Sequence, residues 1–119
     1  MRRWLFCIVL SFACHAALAE PGAFRGARIV MNPRHSLRKI FGFYEHELNP
    51  WLESALRRVT RVVDVGANDG YFTFGCAAAF ERLGKSAEII AIESQEQHVA
   101  KLRRSVAEQH SHGRIRWNL

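Results

Sequence analysis

Cysteine is scarce in this sequence, and its scarcity argues against two classes of protein. The 119 residues include three cysteines, and two of them, Cys7 and Cys14, lie in an apolar stretch at the N-terminus, which leaves Cys76 alone in the remainder. One cysteine forms neither an internal disulfide nor a cysteine-rich zinc site. Cys76 lies among apolar residues of a predicted helix, a setting typical of a buried, unreactive thiol. The sequence therefore predicts no disulfide scaffold and no metal site.

Internal repeats and low-complexity segments are also absent. A composition of 49% hydrophobic and 24% charged residues predicts one small globular domain. Basic residues are in excess, with a formal net charge of +6, but they are scattered or paired, as at Arg57-Arg58 and Arg103-Arg104. Because no aromatic residues alternate with them, the pattern predicts solvated helix faces and no nucleic-acid partner.

Residues 1–19 have the features of a leader. Arg2 and Arg3 precede an apolar stretch from Trp4 to Leu10, and Ala17-Leu18-Ala19 matches a small-x-small cleavage pattern. The apolar stretch is shorter than the roughly 20 residues of a membrane-spanning helix. The segment predicts a signal peptide, or a membrane attachment if it is not cleaved; a third interpretation is a translation start placed too early, with the protein beginning near Met31.

The rest of the chain divides into a short connecting segment and a domain. Residues 20–35 contain two prolines and two glycines with little apolar periodicity, which predicts a linker or loosely held arm. Over residues 36–119 two helices precede an alternation of strands and helices, which specifies a parallel, right-handed α/β layer. The predicted elements are a helix around Leu37–Tyr44, a helix from Asn49, strand Arg61–Val65, helix Tyr71–Arg82, strand Glu88–Ile92, helix Glu96–Gln109 and a strand from Arg114.

The segment Val62–Gly70 (VVDVGANDG) is the most informative in the sequence. Its valines predict a buried parallel strand, and Asp64 interrupts that apolar run, where a carboxylate needs a partner. Gly66 and Gly70 allow a sharp turn and the close approach of a ligand. Asn68 or Asp69 is expected to cap the following helix. A strand, a glycine turn and a helix start together predict a site for a small molecule with a negatively charged end.

A second acid supports a ligand site at this edge of the sheet. Glu93 closes the next predicted strand, and the carboxyl ends of neighbouring parallel strands lie side by side, so Glu93 and the turn after Asp64 should meet. An acid there can accept both hydroxyls of a ribose. The G-x-G-x-x-G pattern of dinucleotide folds is absent, and Asp64 would repel a pyrophosphate. The two acids instead favour an adenosyl compound that carries an ammonium group.

The segment Asp64–Thr73 resembles the first motif of FkbM-type class I S-adenosylmethionine-dependent methyltransferases, D-V-G-A-N-x-G-x-x-[ST]. This resemblance implies a Rossmann-like fold with S-adenosylmethionine as cofactor. The resemblance implies that the methionine moiety of the cofactor lies beside Asp64 and the glycine-bearing turn. It further implies that the carboxylate of that moiety lies near Thr73 and that the ribose lies at Glu93. Ser94 stands where family members often have proline. The residues implied to bind the cofactor are Asp64, Gly66, Ala67, Asn68, Gly70, Thr73 and Glu93.

The resemblance also implies what this chain does not contain. The family sheet has seven strands, whereas three are predicted here, so we expect an α/β domain of three parallel strands with flanking helices, truncated after the third strand. The first strand, central in the family, should then present an open apolar edge. We can assign no catalytic base.

The expected function is transfer of a methyl group to an oxygen of a sugar or small molecule. The chain would then be either a working domain or an inactive fragment of such an enzyme. The alternative is a non-catalytic binding module, exported or attached to a membrane, that reuses the half-domain. The leader predicts export, whereas the cytosolic supply of S-adenosylmethionine argues for a cytoplasmic protein.

Overall fold

The computed structural model describes residues 15–17, 22–31, 37–39, 45–109 and 113–119. Within these ranges two short strands precede a segment in which strands and helices alternate. Residues 37–39 are helical, and residues 46–48 form a 3-10 turn. The elements are β1 (His15–Ala17), β2 (Arg28–Val30), α1 (Asn49–Arg58), β3 (Arg61–Val65), α2 (Tyr71–Arg82), β4 (Ala87–Ile92), α3 (Glu96–Ala107) and β5 (Ile115–Asn118).

Strands β3, β4 and β5 form one parallel sheet in that order. Helices α2 and α3 are the crossover connections that parallel pairing requires. This arrangement confirms the α/β layer of three parallel strands with flanking helices and is compatible with a Rossmann-like fold. Among the described residues, β3 pairs only with β4, so it lies at the edge of the sheet.

One face of the sheet is buried against α2, the most apolar of the described helices. Ile89 on β4 is fully buried, as are Phe74 and Phe80 of α2. The predicted bounds of α2 are confirmed, and so is the glycine cap after it: Gly84 has φ +65° and its N–H donates to the Glu81 carbonyl at 3.0 Å.

The opposite face of the sheet is open. Val63 and Val65 of β3 are 53% and 75% exposed, and Ile92 of β4 is 51% exposed. Because side chains alternate along a strand, these residues share the face opposite to Val62 and Asp64. Within the described ranges, the expected open apolar edge is present at β3 and continues onto this face. The prediction that the valines form a buried strand is wrong for β3, because this face of the sheet is exposed.

The helical spacing of apolar residues in the sequence predicts that α1 covers the sheet with one buried stripe, formed by Trp51, Leu52, Ala55, Leu56 and Val59, and this prediction is wrong. Helix α1 packs against α2, with Leu52 and Leu56 buried, whereas Trp51 is 67% exposed and Val59 is 38% exposed. Helical spacing alone placed these four side chains, together with Ala55, in one buried stripe. The stripe that α1 buries is narrower because only part of that face meets α2.

Residues 22–31, which the sequence analysis placed in a linker, pack into the core as an arm across α2 and α3. The arm contributes six buried apolar side chains: Ala23, Phe24, Ala27, Ile29, Val30 and Met31. Phe24 contacts Tyr71 and Phe72 edge to face, with ring centroids 5.3 and 5.2 Å apart. The arm differs from a loosely held segment because its apolar residues, although aperiodic, fill space that the helices leave.

Backbone groups of the arm also bond to side chains of the helices. The Arg82 guanidinium donates to the carbonyls of Ala23 and Arg25, each at 2.6 Å. On the other side, the N–H of Val30 donates to the buried Ser105 hydroxyl at 2.9 Å. These hydrogen bonds satisfy backbone groups of the arm that have few partners in regular secondary structure.

Most of the predicted leader lies outside the described residues. The exception is β1, which pairs antiparallel with β2 in the register Ala16 to Ile29. Across the described ranges, none of the helices has the length and apolar character needed to cross a membrane.

Candidate functional site

The turn of residues 66–70, called here the glycine turn, is bonded directly to the end of the neighbouring strand. Gly66 leaves β3 with φ +74°, a conformation that favours glycine. Its N–H and that of Ala67 both donate to the Ile92 carbonyl, at 2.8 and 3.1 Å. The turn closes when the N–H of Gly70 donates to the Ala67 carbonyl at 2.8 Å. The parallel register of β3 and β4 therefore continues past the strands into the loops.

Glu93 makes the second connection between the two loops. Its Oε2 accepts the N–H of Asn68 at 2.9 Å, and its Oε1 accepts the N–H of Gln95 at 2.8 Å. These hydrogen bonds stabilise the ionised form and lower the pKa of Glu93 below its ordinary value of 4.5, and the bond from Gln95 has the largest effect. The amide of Ser94 and the nearby His98 add smaller effects in the same direction. Glu93 is thus an acceptor at neutral pH.

Asn68 adopts φ +51° and stabilises this conformation through its own side chain. Its Nδ2 donates to the Gly66 carbonyl at 2.9 Å, inside the turn. Asparagine tolerates the left-handed region better than most residues do. The side chain of Asn68 therefore supports the turn rather than capping α2.

Asp64 finds its partner one turn into α2. The Thr73 hydroxyl donates to Asp64 Oδ2 at 2.6 Å, and Thr73 is fully buried. Asp64 itself is partly buried, on the face of β3 that meets α2. This hydrogen bond connects the end of β3 to the start of α2 and offsets part of the cost of burying the Asp64 carboxylate.

The start of α2 requires glycine at its N-cap. Gly70 has φ +89°, and a Cβ there would collide with the Phe74 ring and with Leu102 of α3. Asp69, just before it, accepts the N–H of Tyr71 at 3.3 Å. Of the two predicted caps, Asp69 contacts the helix start.

A lysine that sequence reasoning missed lies at the same turn. The ammonium of Lys39 is 2.9 Å from Asp69 Oδ2 and 5.8 Å from the centre of the Tyr71 ring. No periodicity or motif marks Lys39, because its position depends on how the 37–39 segment packs on the domain. The site therefore contains a cation as well as its acids.

The predicted site residues come together, but two of them point into the protein. Backbone bonds join the turn to Glu93, and the Thr73 bond places Asp64 beside the start of α2. Ala67 is 5% exposed and Thr73 is fully buried, so Ala67 can present only its backbone and Thr73 already serves Asp64. From their place in the sequence Tyr44, Glu45 and Glu47 could border the site. Glu47 is exposed in the 3-10 turn, Glu45 just before it is partly exposed, and Tyr44 lies outside the described residues.

Cys76 lies on α2 away from the turn surface. Burial, with a smaller contribution from the charge of Asp64, raises the pKa of its thiol to about 12. The thiol is 4% exposed, so the interpretation of a buried, unreactive cysteine agrees with the geometry. Within the described ranges no three His, Cys, Asp or Glu side chains are grouped to hold a metal ion.

The arrangement is suited to binding a small polar ligand at the carboxyl edge of a parallel sheet, where two strand-end acids and a rigid turn meet. Comparison of the chain with models of known families, with curated proteins and with solved structures finds no match.

Proposed function

We propose that this chain binds S-adenosylmethionine at the glycine turn, as the cofactor-binding part of an FkbM-type methyltransferase that acts on an oxygen of a sugar or small molecule. The observation that carries the proposal is the hydrogen-bonded unit of the glycine turn and Glu93, with Asp64 at the end of the preceding strand. Its residue pattern is the one on which the resemblance rests. A ligand would meet a turn that is already ordered, so binding would cost little conformational entropy.

Glu93 retains acceptor capacity for a ribose. An ionised carboxylate offers about four acceptor positions, and two are used by the amides of Asn68 and Gln95. The remaining positions can accept the two ribose hydroxyls while both loop contacts persist. The lowered pKa keeps the group in the ionised form that such acceptance requires.

The turn is poorly suited to a dinucleotide. The N–H groups of Gly66, Ala67, Asn68 and Gly70 all donate to partners within the protein. A pyrophosphate is normally held by free backbone N–H groups at such a turn. With these donors used, and with Asp64 close by, the turn favours the ammonium end of S-adenosylmethionine over a nicotinamide dinucleotide.

The proposal is tested by isothermal titration of S-adenosylmethionine into the full 119-residue chain. Asp64→Asn and Glu93→Gln should each weaken binding about tenfold or more, the effect of losing a hydrogen bond to a charged group. Glu81→Gln, an exposed acid near the end of α2, is the matched control and should leave the affinity unchanged. A parallel titration with NADH should show no binding.

Saturable binding that is insensitive to both acids would contradict this site, and a folded chain that binds NADH but not S-adenosylmethionine would contradict the proposed cofactor. Circular dichroism of each variant separates loss of binding from loss of folding.

The second candidate is a non-catalytic binding module, exported or attached to a membrane through residues 1–19. One observation favours it: Asp64 and Glu93 already have protein partners and thus serve a structural purpose without a ligand. In that case the folded chain gives no heat with S-adenosylmethionine, while Glu93→Gln lowers stability. Mass spectrometry of the product expressed with its N-terminus intact would show whether cleavage follows Ala19, which would also remove β1.

A further inference from the structure

A polar cavity lies at the amino ends of the parallel strands, at the opposite end of the sheet from the glycine turn. It has a volume of about 720 Å³. Hydroxyl, guanidinium and carboxylate groups dominate its lining, which includes Thr60, Arg61, Ser86, Glu88, Arg114 and Arg116. The proposed cofactor site uses none of these residues.

Three of the charged side chains form a row across the sheet. In the strand register Arg61 lies opposite Glu88, and Glu88 lies opposite Arg116. Glu88 Oε2 accepts from Arg61 Nε at 2.6 Å, while Arg116 Nε is 3.8 Å from Glu88 Oε1. The Glu88 side chain is 13% exposed, whereas those of Arg61 and Arg116 are 68% and 77% exposed. One shielded carboxylate therefore faces two guanidinium groups that reach into solvent.

Arg114 adds a third positive charge to the same cavity. It is exposed, and although its backbone carbonyl accepts the Ala87 N–H at 3.0 Å, its guanidinium has no hydrogen bond or ion pair with any residue that the structure describes. With Glu88 closest to Arg61, the charges of Arg114 and Arg116 are the least neutralised. Like charges placed together repel one another, and a bound anion relieves that repulsion. The Thr60 and Ser86 hydroxyls, both exposed, supply neutral donors beside them.

We propose that this cavity is a binding site for a small phosphorylated molecule, with Arg114 and Arg116 as the principal contacts to its phosphate. Guanidinium groups donate two parallel hydrogen bonds to phosphate oxygens, a geometry that lysine does not provide. Glu88 holds Arg61 in place and sets the strength of the site, because its negative charge competes with that of the ligand.

Size and surroundings favour a small molecule over a nucleic acid. The cavity falls within the range of about 300 to 1,000 Å³ typical of small-molecule sites. Trp117, the nearest aromatic residue in the sequence, packs on Phe74 at 5.3 Å between ring centroids, on the opposite face of the sheet. Among the described residues that line the cavity none is aromatic, so they present no platform of the kind on which unpaired bases stack.

The test is titration of inorganic pyrophosphate into the full chain at constant ionic strength, followed by isothermal calorimetry. Arg114→Gln/Arg116→Gln should weaken binding about tenfold or more, because each lost contact is a charged hydrogen bond. The matched control is Arg103→Gln/Arg104→Gln, which removes the same charge from exposed positions on α3 and should leave affinity within about twofold. Glu88→Gln should tighten binding severalfold, an outcome that a purely structural role would not produce.

Three results would overturn the proposal. Equal weakening by the two arginine pairs would mean a general charge effect, and absence of pyrophosphate binding by the folded chain would mean no phosphate site. A ten-nucleotide single strand that binds through Arg114 and Arg116, while pyrophosphate does not, would identify a nucleic-acid contact instead. Saturation with S-adenosylmethionine should leave the pyrophosphate affinity unchanged, which keeps this test separate from that of the glycine turn.

Discussion

Replacing Phe24 by alanine tests whether the N-terminal arm is part of the folded domain. Phe24 is 3% exposed, packs against Tyr71 and Phe72, and fills the space above Gly75, where a Cβ would collide with its ring. Truncation of a core phenylalanine to alanine costs about 3–5 kcal/mol. Since domains are stable by about 5–15 kcal/mol, the variant should lose a large part of its free energy of unfolding.

The measurement is urea denaturation of the full chain, followed by far-ultraviolet circular dichroism. Trp51→Ala removes a larger aromatic ring that is 67% exposed, and this control should change the free energy of unfolding by about 0.5 kcal/mol or less. If Phe24→Ala does not fold, Phe24→Leu keeps the test open, with an expected loss of about 1.5 kcal/mol. A loss below about 1 kcal/mol for Phe24→Ala would refute the packed arm and restore the linker that the sequence predicted.

Three further predictions concern the site and the core. Folding lowers the pKa of Glu93, so the contribution of Glu93 to stability is full above its ordinary pKa of 4.5 and is lost as pH falls through the folded value. The difference in stability between wild type and Glu93→Gln, measured by denaturation across pH, should therefore shrink below pH 4.5. A difference that stays constant with pH would contradict the loop contacts. Gly70→Ala should lower the free energy of unfolding by about 2–5 kcal/mol, because the new Cβ both collides with its neighbours and disfavours the positive φ. Gly66→Ala should lower it by only about 1–2 kcal/mol, because Gly66 has a positive φ but open space around it. Equal losses in denaturation would count against the close packing of Gly70. Cys76, with a pKa of about 12, should resist iodoacetamide at pH 8 in the native chain and react after unfolding, as read by mass spectrometry of its peptide; rapid native labelling would show that the thiol is not buried.

Local sequence was sufficient to predict the first strand of the parallel sheet, β3, and the helix that follows it, α2. The valines of β3 favour a strand, the apolar run of α2 favours a helix, and Gly84 marks the end of that helix. The predicted bounds Arg61–Val65 and Tyr71–Arg82 are confirmed. The meeting of Glu93 with the glycine turn could also be predicted. It follows from parallel pairing, which brings the ends of adjacent strands to one edge.

Contacts that depend on how separate segments pack could not be predicted in this way. Phe24 and Lys39 are distant in sequence from the helix they contact, and neither belongs to a periodic pattern. Prolines and glycines near Phe24 indicated a linker, because the rule describes backbone preference and takes no account of space left between helices. The row from Arg61 through Glu88 to Arg116 appeared only once the strand register was known.

The same hydrogen bonds that order the glycine turn also define what a ligand must supply. Asn68 and Glu93 are joined without a ligand, so the turn does not need the cofactor to adopt its shape. A ligand that used the amides of the turn would have to break bonds the protein already makes, whereas one that donates to the carboxylates of Asp64 and Glu93 adds to them. Affinity at this edge should therefore depend on hydroxyl and ammonium donors of the ligand, and removing either type of donor should weaken binding more than removing a phosphate. Adenosine, S-adenosylhomocysteine and adenosine monophosphate, titrated in parallel, provide that comparison. A preference for the monophosphate over adenosine that survives Arg114→Gln/Arg116→Gln would show that the turn recognises phosphate after all.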